Sequence, residues 1–198
     1  MVAAVAFLLS QARQADIVFV RHGETVANAT GRYNSRTLNA FSEKGEAEVE
    51  ALTRKLLSEP RFDRILVSPS PRALRTIAPY LKAVHQQATI WPLLYECCTG
   101  RRPKNAAPTK FSYGETIRVP NDIASLFIVD PKSNRVPVAP DYNSGLAQVE
   151  ASIAEFRAKY ATGRVLLVGH SGHGGHFIHA LTGKWKKLDN AKEVEVVP

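Results

Sequence analysis

The sequence predicts an α/β fold in three layers, with helices on both faces of a mostly parallel central sheet. Two observations carry this. Short apolar, largely β-branched runs at residues 17–20 (IVFV), 64–68 (RILVS) and 164–168 (RVLLV) have the pattern of buried strands. Stretches of helical periodicity separate them, which is the alternation that builds a parallel sheet. With 198 residues, 44% of them hydrophobic, the chain can bury a core that needs neither disulfides nor a structural metal. No internal repeat, low-complexity tract or linker divides residues 16–198, so one domain is expected.

Two readings fit residues 1–15, MVAAVAFLLSQARQA. The apolar run 2–9 is too short to span a bilayer, but it has the length of a signal-peptide core and is followed by small residues at Ser10, Ala12 and Ala15. A positive leading region is missing, and the competing reading is an N-terminal helical extension. Because the first strand needs nothing before Asp16, the balance leans toward an exported protein, periplasmic or secreted, with a cytoplasmic one as the alternative. Asn28-Ala29-Thr30 is a glycosylation sequon. A glycan there would crowd the end of the first strand, which argues against passage through a eukaryotic secretory pathway.

The first strand ends in Arg21, His22 and Gly23, within IVFVRHGET. A cation and an imidazole at the carboxyl end of a strand in an open α/β sheet suggest an anion site, since ligands bind at that rim. A polar loop follows (27–40), then Ser42 as helix N-cap and Gly45, Val49, Leu52 and Leu56 at helical spacing, closed by Pro60. After the second strand, Pro69, Ser70 and Pro71 start another helix, which places Arg72 in its first turn beside free backbone N–H groups. Leu74, Ile77, Leu81 and Val84 form its apolar stripe, and Pro79 predicts a kink or break.

Residues 89–94 (TIWPLL) suggest a weaker strand leading to Tyr95 and Glu96. Residues 97–145 hold six of the twelve prolines and no sustained period, so they read as an irregular excursion with one short helix near 123–128, of the kind that lines a site. Leu146, Val149, Ile153, Phe156 and Tyr160 mark an amphipathic helix that stops near Gly163. The third strand runs into Gly169, His170, Ser171 and Gly172, echoing the first. A helix at 175–181 and a last strand at 194–197 complete the chain.

The formal charge of +8 and pI near 9.7 favour anionic partners, but there is no long basic run and no nucleic-acid-binding signature; phosphorylated small molecules fit this charge as well as nucleic acid does, and no specific nucleic acid is expected. Cys97 and Cys98 are adjacent, lack zinc-site spacing and read as structural. His170, His173, His176 and His179 recur every three residues. That spacing drifts around a helix and has no acidic partners, so no metal or other cofactor is expected. Arg101, Arg102 and Lys104, and the stretch 184–187 (KWKK), read as solvated basic loops.

Taken in order, RHGET, SPSPRALRT, Glu96 and VGHSG resemble the histidine phosphatase superfamily, in the branch that includes phosphoglycerate mutases and small-molecule phosphatases. The resemblance covers nearly the whole chain from Asp16 onward and implies a phosphoglycerate mutase-like fold. It implies a phosphatase acting through phosphorylated His22, with Arg21, Arg72 and His170 holding the phosphate, His170 being effective there when protonated. Asn28 matches a further phosphate contact and Glu96 the general acid. The YECC context of Glu96 lacks the glycine-rich surroundings common after that acid, and the longer mutase signature is missing. The alternatives are therefore a mutase-like phosphotransferase and a catalytically silent phospholigand-binding module, and Glu115 and Asp141 remain as other candidate acids. The identity of the substrate and the oligomeric state have no signature in the sequence.

Overall fold

A computed structural model describes residues 15–197. Residues 1–14, which hold nearly all of the signal-like stretch, lie outside it. Eight strands and five α-helices follow in the order β1 (Asp16–Arg21), α1 (Val26–Thr30), α2 (Glu43–Leu57), β2 (Arg64–Val67), α3 (Pro71–Val84), β3 (Ala88–Ile90), β4 (Ser112–Thr116), β5 (Phe127–Ile128), β6 (Arg135–Val138), α4 (Tyr142–Lys159), β7 (Arg164–Gly169), α5 (Ser171–Thr182) and β8 (Glu193–Val196). Six strands form one sheet in the order β5-β3-β2-β7-β1-β8. All its pairings are parallel except that of β8, which runs antiparallel to β1.

The pleat sorts the core into two layers. Val18 and Val20 of β1 face Leu52 and Leu56 of α2 and the apolar stripe of α3, whereas Ile17 and Phe19 face Val149, Ile153 and Phe156 of α4 and Phe177 and Ile178 of α5. The sheet thus has α2 and α3 on one side and α4 and α5 on the other, which is the expected three-layer sandwich. Register brings the ends of the three central strands level: Arg21 lies opposite Gly169, and Val67 opposite Val168. Among the described residues no helix is long and apolar enough to cross a membrane.

Several expectations are corrected. The polar loop after RHGET contains α1, because Thr25 and Asn28 form a reciprocal capping box. Helix α3 runs through Pro79 without a break. Pro79 lies on the exposed face, where water can serve the carbonyl left without an N–H partner, while Ala78, Tyr80 and Leu81 anchor the opposite face. The strand expected at 89–94 covers only Ala88–Ile90, and Pro92 turns the chain into a 3₁₀ helix, Pro92–Leu94. The excursion is more regular than expected: β4 and β6 pair in a small antiparallel sheet, and a 3₁₀ helix (Asn121–Leu126) leads into β5 on the edge of the main sheet. Helix α5 begins at Ser171, four residues earlier than its periodicity suggests, because Gly172, Gly174 and Gly175 carry no apolar signal.

Candidate active site

The rim formed by the ends of β1, β2 and β7 collects the expected residues from three separate parts of the chain. His22 follows β1 and is 4% exposed; its Nδ1 lies 2.8 Å from the carbonyl of Gly23. A carbonyl only accepts, so Nδ1 carries the proton and Nε2 keeps its lone pair. Burial, reinforced by the positive charges of Arg72 and Arg21, lowers the His22 pKa to about 3. The imidazole is therefore neutral at any physiological pH.

His170, directly after β7, is fully buried, and its ring lies edge-on to that of His22 with centroids 5.2 Å apart. Arg72, in the first turn of α3, places Nη2 3.2 Å from His170 Nδ1. Guanidinium has no acceptor, so His170 Nδ1 must be the unprotonated nitrogen, and Nε2–H donates to Ser68 Oγ at 2.8 Å. Ser70 Oγ stands 3.3 Å from the same nitrogen. His170 is thus neutral in the site without phosphate, because burial, and then the Arg72 charge, hold its pKa well below the usual value. Arg21 donates from Nη1 to the carbonyl of Leu188 at 3.1 Å, and its charge acts on both histidines.

Glu96 approaches α5 from the chain that follows β3. Its Oε1 accepts the N–H groups of Cys97 (3.1 Å) and His173 (3.0 Å), so the carboxyl group sits on the free first-turn donors of α5. Burial raises its pKa more than these bonds and Arg72 lower it, which favours the protonated acid. Gly172 makes this seat possible, since a β-carbon there would stand 2.6 Å from Glu96 Oε1 and 2.3 Å from the carbonyl of Cys97. Gly45 serves the opposite side: a β-carbon there would lie 1.9 Å from the carbonyl of Glu24, so only glycine lets α2 pack against the segment after His22.

The structure thus brings Arg21, His22, Arg72 and His170 together, with Glu96 within electrostatic reach of Arg72. Asn28 lies on α1, just beyond β1; its Oδ1 accepts from Thr25 N (3.2 Å) and Thr25 Oγ1 (3.1 Å), so the amide nitrogen is the end that can donate to a phosphate. Of the other carboxylates, Glu115 is exposed on β4, and Asp141 caps α4 by accepting the Ser144 N–H at 2.8 Å. Cys97 and Cys98 are both buried and free, with sulfurs 3.1 Å apart. Ser68 and Ser70 lie inside SPSPRALRT, yet only the fold shows that they face His170.

This fold and this rim, two histidines and an arginine at the ends of adjacent parallel strands with a second arginine in the helix turn just beyond, define the phosphoglycerate mutase-like class of α/β proteins. The model of the histidine phosphatase superfamily (branch 1) matches residues 17–195, and the chain belongs to that superfamily. Over 81 residues it is 37% identical to the adenosylcobalamin/α-ribazole phosphatase of Salmonella typhimurium, a match that spans 41% of this chain and 40% of that protein. The α-ribazole phosphatase of Shigella flexneri superimposes with a TM-score of 0.59 at 21% identity, covering 89% of this chain and 87% of that one. The phosphoglycerate mutase of Bacillus anthracis also gives 0.59, at 20% identity over 93% and 88% of the two chains.

Proposed function

We propose that this protein is a metal-independent phosphatase that hydrolyses phosphate monoesters through a phosphohistidine at His22. The observation that carries this reading is the fixed, neutral imidazole: Nδ1–H is held by Gly23 while Nε2 is left with a lone pair beside two guanidinium groups. Phosphoryl transfer asks little of a protein beyond positioning and stabilising charge on the equatorial oxygens, and Arg21 and Arg72 supply planar donors for that. His22 Nε2 attacks phosphorus as the bond to the ester oxygen breaks, and that oxygen takes the proton of Glu96. Glu96, now a carboxylate, then removes a proton from water. The resulting hydroxide attacks phosphorus, the P–N bond breaks and its electron pair returns to Nε2. An arriving phosphate dianion raises the pKa of His170 and lets it become a third cationic donor.

Rapid acid-base quenching with labelled substrate tests the proposal: an acid-labile, alkali-stable label is expected on the protein and should be absent from His22→Ala, with turnover persisting in EDTA. An acid-stable label refutes the phosphohistidine. Transfer of label to an alcohol rather than water marks a mutase-like phosphotransferase, and no turnover on a broad panel of phosphate esters marks a phospholigand-binding module. The names of the similar proteins put α-ribazole phosphate on that panel.

A further inference from the structure

The acceptor that orients His22 is the carbonyl of Gly23, the next residue. Glycine has no side chain to fix its own backbone, so something else must hold this segment if the imidazole is to stay aimed. The His22–Gly23 peptide is gripped at both poles. Its oxygen accepts Asn190 Nδ2 at 2.8 Å, and its N–H donates to Thr76 Oγ1 at 3.0 Å. The Thr76 hydroxyl proton goes to the carbonyl of Arg72 at 2.7 Å, which leaves its lone pair for Gly23. A peptide is planar, so fixing both its poles fixes the direction from which His22 enters the site.

Asn190 does not act alone. Its segment, residues 188–191, also receives the Arg21 guanidinium on the carbonyl of Leu188 (3.1 Å) and donates the Ala191 N–H to the carbonyl of Arg21 (3.0 Å). Ala191 has φ 45°, a left-handed conformation unfavourable for a residue with a β-carbon, at the residue next to the contact. Leu188 and Ala191 are buried, which anchors the turn.

We propose that Asn190 and Thr76 are positioning residues for the nucleophile, holding the His22–Gly23 peptide by its two poles and so aiming His22 Nε2 at phosphorus. The proposal rests on the reading of His22 as nucleophile. Its chemical content is a fixed Nδ1–H tautomer and a fixed line of attack. Neither residue touches the phosphate.

The test compares Thr76→Val, Thr76→Ser and Asn190→Ala in the full chain by single-turnover phosphorylation, inhibition by inorganic phosphate, and ¹⁵N NMR of the His22 ring. Thr76→Val and Asn190→Ala should slow phosphorylation on the order of 10-fold, as expected for a misaimed reactant. Inhibition by phosphate should change by less than about twofold, because the arginines that bind it remain. The NMR signals should shift from one tautomer to a mixture, and Thr76→Ser should restore both rate and tautomer. If Asn190→Ala does not fold, Asn190→Asp, which sets an acceptor against the His22 carbonyl, should show the same pattern. Folded variants that keep the wild-type rate and a single tautomer overturn the proposal, as does a loss of phosphate binding in step with rate. A wild-type chain that forms no phosphohistidine overturns the parent reading instead, and the tautomer signals still decide whether these two residues set the ring.

Discussion

Replacing Gly172 with alanine should disable the acid while sparing the nucleophile. The added β-carbon would stand 2.3 Å from the Cys97 carbonyl and 2.6 Å from Glu96 Oε1. The closer contact is with a backbone carbonyl, which no side-chain rotation relieves, so the Cys97 peptide and the first turn of α5 must part, and the carboxyl group loses its seat on the N–H groups of Cys97 and His173. Overpacking of this kind costs about 1–3 kcal/mol. Alanine regains about 1 kcal/mol in helix propensity, so a domain stable by about 5–15 kcal/mol stays folded. General-acid assistance is worth about 10²–10⁴-fold, and the loss should fall on substrates whose leaving oxygen needs a proton. An alkyl phosphate should therefore lose at least about 10²-fold in single turnover, and a nitrophenyl phosphate, whose phenolate leaves unprotonated, much less. Glu96→Gln should give the same selectivity, and the double variant little more than either single one. Equal losses for the two substrates in folded protein would falsify the assignment of Glu96 as the acid.

The phosphate clamp and the buried histidines give further tests. Arg21→Ala, Arg72→Ala and His170→Ala should each cost on the order of 10²-fold in turnover, as for loss of an oxyanion donor; near-normal kinetics in any one removes that residue from the site. His22 and His173 both titrate near 3 when folded against 6.5 when unfolded, so below pH 6.5 the unfolded chain binds more protons. Their contribution is present in full above pH 6.5 and is lost as the pH falls toward 3, about 2 kcal/mol for each histidine between pH 7 and pH 5. Urea unfolding at the two pH values checks this, and His173→Asn should lose about 2 kcal/mol less over the interval than the parent. An unchanged interval would mean that His173 is not held neutral.

What the sequence made legible followed from local pattern. The three central strands are apolar runs with sharp ends, and the strand-end rule singles out Arg21 and His22 after the first and, by its echo, His170 after the third. Arg72 followed from Pro71 as a helix start. The rest depended on contacts between distant segments. Asn190 lies 168 positions from His22 in a stretch with no periodicity, and only the pairing of its turn with the end of β1 brings the two together. That His170 is neutral until an anion arrives follows from the depth of its burial and the donor Arg72 against Nδ1, and neither is a property of sequence spacing. The setting of Asn28 is local but equally hidden: Thr25 three residues earlier takes its side-chain oxygen into a capping box, which leaves the amide nitrogen as the end that can donate to a phosphate.

The charges at the rim lead to an unusual expectation for pH dependence. Arg21 and Arg72 are cations, the two histidines are neutral, and burial favours the neutral form of Glu96. His170 Nδ1 lies 3.2 Å from the Arg72 guanidinium, and two unit charges about 4 Å apart repel by about 4 kcal/mol at an effective dielectric of 20, so His170 cannot readily charge before phosphate arrives. The site offers two positive charges and best matches a phosphate dianion. A monoester becomes a dianion near pH 6, close to where an ordinary histidine titrates, so an acid limb in kcat/KM near that value would normally be assigned to the nucleophile. Here His22 titrates near 3, and the limb should belong to the substrate. Alkyl phosphates carrying electron-withdrawing fluorines ionise at lower pH, and with them the limb should move down in step with the substrate's second ionisation. A limb that stays near 6.5 for every substrate would show that His22 titrates as an exposed imidazole, and the neutral, buried nucleophile would have to be abandoned.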